Sequence, residues 1–342
     1  MTVDARPTAL FAYVSGNSTT ITRYTLAGGA LTEAGTTTSF AANPSFMAID
    51  PSNTHIYAAS ESTSRAGAYT IDQATGALAF INDVAVGGNG PAHITVDRGG
   101  KFILVANYGN GTVSVAPIQA GGGLGAVTQT LTPGANAHQI VLDPTNKYAF
   151  VPCLGVDRVH QYLFDASTGT LTANAVPTVA TAAGAGPRHL AFSPTAPFAY
   201  LLNEKASTLT ALSFDAATGR LSPLQTLSTR ASGATVNNTG AEVWVHPNGK
   251  FVYSSNRGDN NLAIFAIGSD GKVTLVGHRA TGGMTPRSFT FDPSGAFVYV
   301  ANQGSNTVIP FPVDGATGML GSPGTSVTAT SPSYVGIAAL PR

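Results

Sequence analysis

A short phrase recurs along the chain and restricts what it can fold into. Each copy has an apolar run that ends on a polar residue, then a tight turn, then a second apolar run. Asp50-Pro51, Asp97, Asp143-Pro144, Ser193-Pro194, His246-Pro247 and Asp292-Pro293 mark the copies, at intervals of 47, 46, 50, 53 and 46 residues. The runs after the turns, such as Phe102-Ile103-Leu104-Val105-Ala106 and Phe251-Val252-Tyr253-Ser254-Ser255, are β-branched and aromatic, bounded by Gly, Pro, Asn and Asp, and too short for helices. A third strand-like run (Leu262-Ala263-Ile264-Phe265) and a fourth, opened by a turn such as Thr218-Gly219-Arg220-Leu221, complete each interval. No segment sustains a 3.6-residue period. Four short strands per repeat is the pattern of a β-propeller blade.

Six complete repeats leave both ends over. Leu10-Phe11-Ala12-Tyr13-Val14-Ser15 matches a second strand with no first, and Pro332-Ser333-Tyr334-Val335-Gly336-Ile337-Ala338 matches a first strand with no second. Joined, they make a seventh blade and hide the sheet edges an open array would expose. The expectation is an all-β, single-domain protein over residues 1–342: a seven-bladed β-propeller of four-stranded antiparallel blades, closed by pairing the N- and C-terminal segments.

Composition narrows the function. Charged residues are 10% of the 342, against roughly 25% in ordinary domains, and the formal net charge is zero. Neither a nucleic-acid partner nor an anionic membrane is implied. No apolar run reaches the ~18 residues of a membrane span. Met1-Thr2-Val3-Asp4-Ala5-Arg6-Pro7 lacks a basic, then apolar, leader. These features predict a cytoplasmic protein, although low charge also suits an exported one whose signal peptide has been removed. Nothing argues for a subunit interface, so a monomer is expected. Cys153 lies in an apolar run and reads as a small buried hydrophobe. No histidine pair has zinc-helix spacing, no acidic cluster resembles a calcium loop, and Gly121-Gly122-Gly123 is not followed by Lys-Ser/Thr. No metal and no cofactor is expected.

In an up-and-down blade, the start of the first strand and the end of the second return to one rim beside the central channel. Read around the repeats, one ring is Ser45, Ala92, His138, Arg188, Ala241, Arg287 and Ser333. The next position gives Phe46, His93, Gln139, His189, Glu242, Ser288 and Tyr334, and the strand-two ends give Asn17, Glu61, Tyr108, Leu154, Glu204, Arg257 and Gln303. In so charge-poor a chain these rings collect an unusual share of ionisable groups. His138, Arg188, Glu204 and Arg257 come from three consecutive blades and are expected to face one another. Guanidinium forks suit a carboxylate or phosphate. His93, His189, Arg287 and Glu242 are further candidates to contact a substrate.

The chain resembles the seven-bladed lactonases that include the propeller-type 6-phosphogluconolactonases. The likeness is carried by Gly90-Pro91-Ala92-His93 with Val105-Ala106-Asn107-Tyr108-Gly109, by Ala137-His138 with Val151-Pro152-Cys153-Leu154-Gly155, by Gly186-Pro187-Arg188-His189 with Asn203-Glu204, and by Ser255-Asn256-Arg257-Gly258. The family also holds a 3-carboxymuconate lactonising enzyme whose proposed set of a histidine, arginines and a glutamate falls on His138, Arg188, Glu204 and Arg257. The resemblance implies metal-independent hydrolysis of a sugar lactone, and the partner expected at the site is a small-molecule lactone or carboxylate. Two other readings stand beside it. One is a non-catalytic surface or binding propeller, suggested by repeated phrases such as Tyr299-Val300-Ala301-Asn302, which would give His138, Arg188 and Glu204 no particular company. The other is a muconate-type cycloisomerase using the same residues.

Overall fold

The computed structural model of the chain describes residues 8–341. They form seven antiparallel sheets of four strands each. Six sheets are continuous in sequence: blade 1 (44–85), blade 2 (91–131), blade 3 (141–180), blade 4 (187–228), blade 5 (240–280) and blade 6 (286–328). Blade 7 has Pro332–Pro341 innermost, paired with Thr8–Gly16, which pairs in turn with Thr20–Ala27. The ring therefore closes by hydrogen bonds between the two ends of the chain.

The recurring Asp is a turn clasp. In Asp97 one carboxylate oxygen accepts the backbone N–H of Lys101 at 2.6 Å and of Phe102 at 2.8 Å. Asp50, Asp143 and Asp292 hold the equivalent amides. Where His246 replaces Asp, its Nδ1 accepts the N–H of Asn248 at 3.1 Å and its Nε2 lies 2.8 Å from the carbonyl of Gly295. Each clasp satisfies amides that a tight turn between two buried strands would otherwise orphan.

The core is divided. Seven apolar clusters sit at the seven junctions between consecutive blades, for example Tyr148, Phe150, Leu190, Leu201 and Phe214 between blades 3 and 4. Both faces of every sheet are thus buried, which explains why the chain carries so little charge. Buried tyrosines tie the junctions: the hydroxyl of Tyr13 donates to the carbonyl of Gly76, Tyr57 to Gly122, Tyr200 to Gly271 and Tyr253 to Gly318. Each link joins a second strand to a turn of the next blade and contributes on the order of 1 kcal/mol. Cys153 is fully buried in one such cluster, and burial pushes its thiol up to about 12, so it is no nucleophile at neutral pH.

One irregularity shapes the rim. The innermost strand slips register against its neighbour between Pro44 and Phe46, Pro91 and His93, Pro187 and His189, and Pro286 and Ser288, with a similar slip between Gly240 and Val243. The extra residue at four of these bulges is Ser45, Ala92, Arg188 or Arg287. A bulge suspends the strict alternation of faces and re-aims its side chain, so two successive residues can both serve the channel mouth. Blade 3 departs further. Its inner strand shrinks to Val141–Leu142, and the segment carrying His138 is held by a lone bridge of Ala137 to Cys153 and by the His138 N–H donating to the Pro152 carbonyl at 3.0 Å.

Candidate functional site

The four residues that the ring positions single out lie at one rim of the channel, and three of them are in direct contact. Arg188 Nε is 2.9 Å from Glu204 Oε2, and Arg257 Nη2 is 2.9 Å from Glu204 Oε1. Each carboxylate oxygen therefore has its own guanidinium. The Arg188 contact is ionic more than directional, because its Nε–H is not aimed along a hydrogen bond. Arg188 also donates from Nη1 to the carbonyl of Ala241, and Arg257 from Nη2 to that of Gly240 at 3.2 Å, so the cluster bolts blade 4 to blade 5. Burial alone would raise the Glu204 carboxyl, but Arg188 and Arg257 outweigh it and hold the group below the ordinary carboxylate range. Burial lowers Arg188 to about 9, so it stays cationic at neutral pH.

His138 stands beside this cluster, its ring 5.4 Å from Tyr108 and 5.0 Å from His189. It is buried, its Nδ1 has no partner, and burial, reinforced by Arg188, keeps the imidazole well below its usual value. It is neutral and able to accept a proton. Arg287 differs from the other rim arginines. Among the described residues it makes no ion pair, and burial lowers it while the Glu61 carboxylate opposes the shift.

Beneath the rim the other candidates form a floor. His189 Nδ1 lies 2.7 Å from Glu242 Oε1, with both side chains almost fully buried. Burial raises the Glu242 carboxyl to about 8 and pushes His189 far down, so the pair carries no net charge whichever atom holds the proton. Around it, Phe46 packs on His93 at 4.3 Å and on Tyr334 at 4.9 Å, and His93 meets His189 at 5.7 Å. The Gln139 carbonyl oxygen accepts the N–H of Leu190 at 2.6 Å. These side chains interlock across the axis. The lumen below is bordered by His93, Gln139 and Glu242, and none of His138, Arg188, Glu204 and Arg257 lines it.

A match to the family model of the seven-bladed β-propeller lactonases spans residues 8–337. The chain belongs to that family. The 6-phosphogluconolactonase of Pectobacterium carotovorum is 36% identical over 295 residues, covering 86% of this chain and 88% of that protein. That of Bacillus subtilis is 32% identical over 291 residues, covering 81% and 82%. Among solved structures, the periplasmic gluconolactonase of Pseudomonas aeruginosa superposes with a TM-score of 0.90 at 30% identity, over 97% of this chain and all of that one.

As a propeller lactonase, the chain keeps company that a purely structural propeller would not need, since Arg188 and Glu204 meet at the rim. Among the described residues there is no cluster of His, Cys, Asp and Glu suited to a metal ion, and no helix long and apolar enough to cross a membrane. Sequence reasoning undervalued Tyr108, Phe46 and Tyr334. All three occupy ring positions, but as uncharged residues in an aromatic-rich repeat they resembled scaffold. Their repeat position was the signal that could have found them.

Proposed function

We propose that the chain hydrolyses a sugar lactone in the rim cup, with His138 as general base and the Arg188–Glu204–Arg257 cluster as electrostatic platform. The observation that carries this reading is Glu204 clamped between two guanidiniums beside a neutral, buried His138. Both oxygens of that carboxylate are engaged by guanidiniums, whereas the His138 Nδ1 has no partner and is the open proton acceptor. The carboxylate is a good orienter: it fixes both arginines and can accept a hydrogen bond from the attacking water.

In this mechanism water adds to the lactone carbonyl carbon and gives its proton to His138. The negative charge that develops on the carbonyl oxygen falls beside Arg257, the more accessible of the two paired guanidiniums, and its stabilisation there is the main electrostatic gain. When the tetrahedral adduct collapses, the bond from carbon to ring oxygen breaks and His138 returns the proton to that oxygen, giving the open-chain acid. Arg287, which makes no ion pair among the described residues, is placed to receive an anionic group at the far end of the substrate, which favours the 6-phospho sugar lactone over the neutral one. The test is turnover of both lactones by the purified protein. If wild type hydrolyses neither faster than His138→Ala or buffer alone, the reading is wrong.

A further inference from the structure

A chamber below the floor is not used by the proposed chemistry. Two positions below the floor on each inner strand, the channel-facing residues are Ala48, Thr95, Val141, Ala191, Thr290 and Gly336 in six blades. Blade 5 places Trp244 at that level. Six small residues around a seven-membered ring leave a lumen, and the seventh projects an indole into it. Trp244 is 44% exposed although its strand is the innermost of its blade, and the chamber it enters measures about 620 Å³. A smaller lobe of about 230 Å³, also lined by Trp244, lies toward Ser288 and Tyr334.

The chemistry of the walls is selective. The body of the chamber is apolar, with Leu142, Phe192, Phe291 and Ile337 beside the tryptophan. The two charged side chains among its lining residues besides Glu242 are Arg98 and Asp292, each hydrogen-bonded to neutral groups. Arg98 at the mouth donates Nε–H to the carbonyl of Asp143 at 3.2 Å, and the Asp292 carboxylate is occupied by Ser294 and the N–H of Phe297. The roof supplies polarity without net charge, through Gln139, the Glu242–His189 pair and His93, whose buried Nδ1 has no partner. A chamber of this volume, mostly apolar with a few convergent polar groups, is the usual form of a small-molecule site.

We propose that the lumen below the floor is a second small-molecule site, which takes a compact, uncharged, largely apolar ligand that stacks on Trp244 and hydrogen-bonds to the polar roof. None of the rim arginines lines it, and it does not depend on the lactonase chemistry proposed above. Its link to that chemistry is Glu242, which borders the lumen on one side and holds His189 against His138 on the other.

Trp244 is the only tryptophan of the chain, so the site carries its own reporter. N-phenyl-1-naphthylamine, uncharged, apolar and bearing one N–H, absorbs where tryptophan emits. Titrated into the full protein, it is expected to quench Trp244 by energy transfer, saturably and at one equivalent, with benzyl alcohol competing. Ala191→Phe and, independently, Thr95→Phe fill the lumen and are expected to weaken binding about tenfold or more, with the thermal midpoint of each confirming that it folds. Glu204→Gln, altered only in the upper cup, should bind the probe as wild type does. Absence of saturable transfer, or binding unchanged in the filled variants, overturns the proposal; binding lost in Glu204→Gln would place the probe in the cup and overturn it equally.

Discussion

Arg188 Nε sits 2.9 Å from Glu204 Oε2, although Arg188 opens the innermost strand of blade 4 and Glu204 follows the end of the next. The two are the ends of one hairpin, and the bulge at Pro187–His189 turns the arginine toward its partner. Arg257 then crosses from blade 5 to the other oxygen. The cluster is therefore both a joint between blades and the floor plan of the site, so its variants should affect stability and activity in separable ways.

Glu204→Gln keeps the shape and removes the charge. Activity is expected to fall about 100-fold or more, because Arg188 and Arg257 lose their common anchor. The partly buried guanidiniums are left with like-charge repulsion, so the thermal midpoint should fall as well. Glu204→Asp should retain part of the stability and little of the activity, since the shorter side chain cannot reach both arginines. Steady-state kinetics beside calorimetry separates the two effects.

The clamp has a pH signature. Because Arg188 and Arg257 hold Glu204 below its unfolded value, its charge stabilises the fold above the ordinary carboxylate range, and that contribution is lost as pH falls through the depressed value. Wild type should lose stability relative to Glu204→Gln only at pH below about 4. A divergence that began near pH 6 would point to the buried histidines instead.

Glu242 should behave in the opposite sense. Its carboxyl is raised to about 8 by burial, so the protonated form favours the fold and that stabilisation fades as pH rises from about 4.5 toward 8. Glu242→Gln, which stays neutral, should gain on wild type steadily across that interval when thermal midpoints are compared. A difference independent of pH would mean that the carboxyl is ionised throughout.

Arg287 is expected to discriminate substrates. Replacing it with Met should raise KM for a 6-phospho lactone about 10- to 100-fold, the worth of a charge-assisted contact. KM for the neutral sugar lactone should hardly move. Equal loss on both substrates would assign Arg287 to the reaction centre.

Away from the site, Asp97→Ala removes the acceptor of the N–H groups of Gly99, Lys101 and Phe102 and of the Asn146 side chain. The cost should be about 2 to 4 kcal/mol by denaturant titration, because at least one orphaned amide is buried. Lactonase activity at low temperature should survive.

The architecture was legible because the repeat is written in local rules. Turn residues, alternating apolar runs and the clasping Asp recur at nearly constant spacing, and each works within a few residues of itself. The closing blade was legible for the same reason, since the unmatched runs at Leu10 and Pro332 lacked complementary strands. Repeat position also brought His138, Arg188, Glu204 and Arg257 to one rim. It could not say what they would do there. The bulges at Pro187 and Pro286 each open on a proline, as do those at Pro44 and Pro91, but a residue's face beyond a bulge depends on how its neighbour pairs.

What the sequence alone determined, then, is the ring of seven blades and the level at which each side chain enters it. Tertiary structure decided which of those side chains meet. It gave Glu204 to two arginines and left Arg287 without an ion pair among the described residues, put His189 against Glu242 in a neutral floor, and opened a lumen around Trp244. Those outcomes depend on distances across the channel between residues far apart in sequence, and on the cost of burying charge. Neither quantity exists until all seven blades have closed.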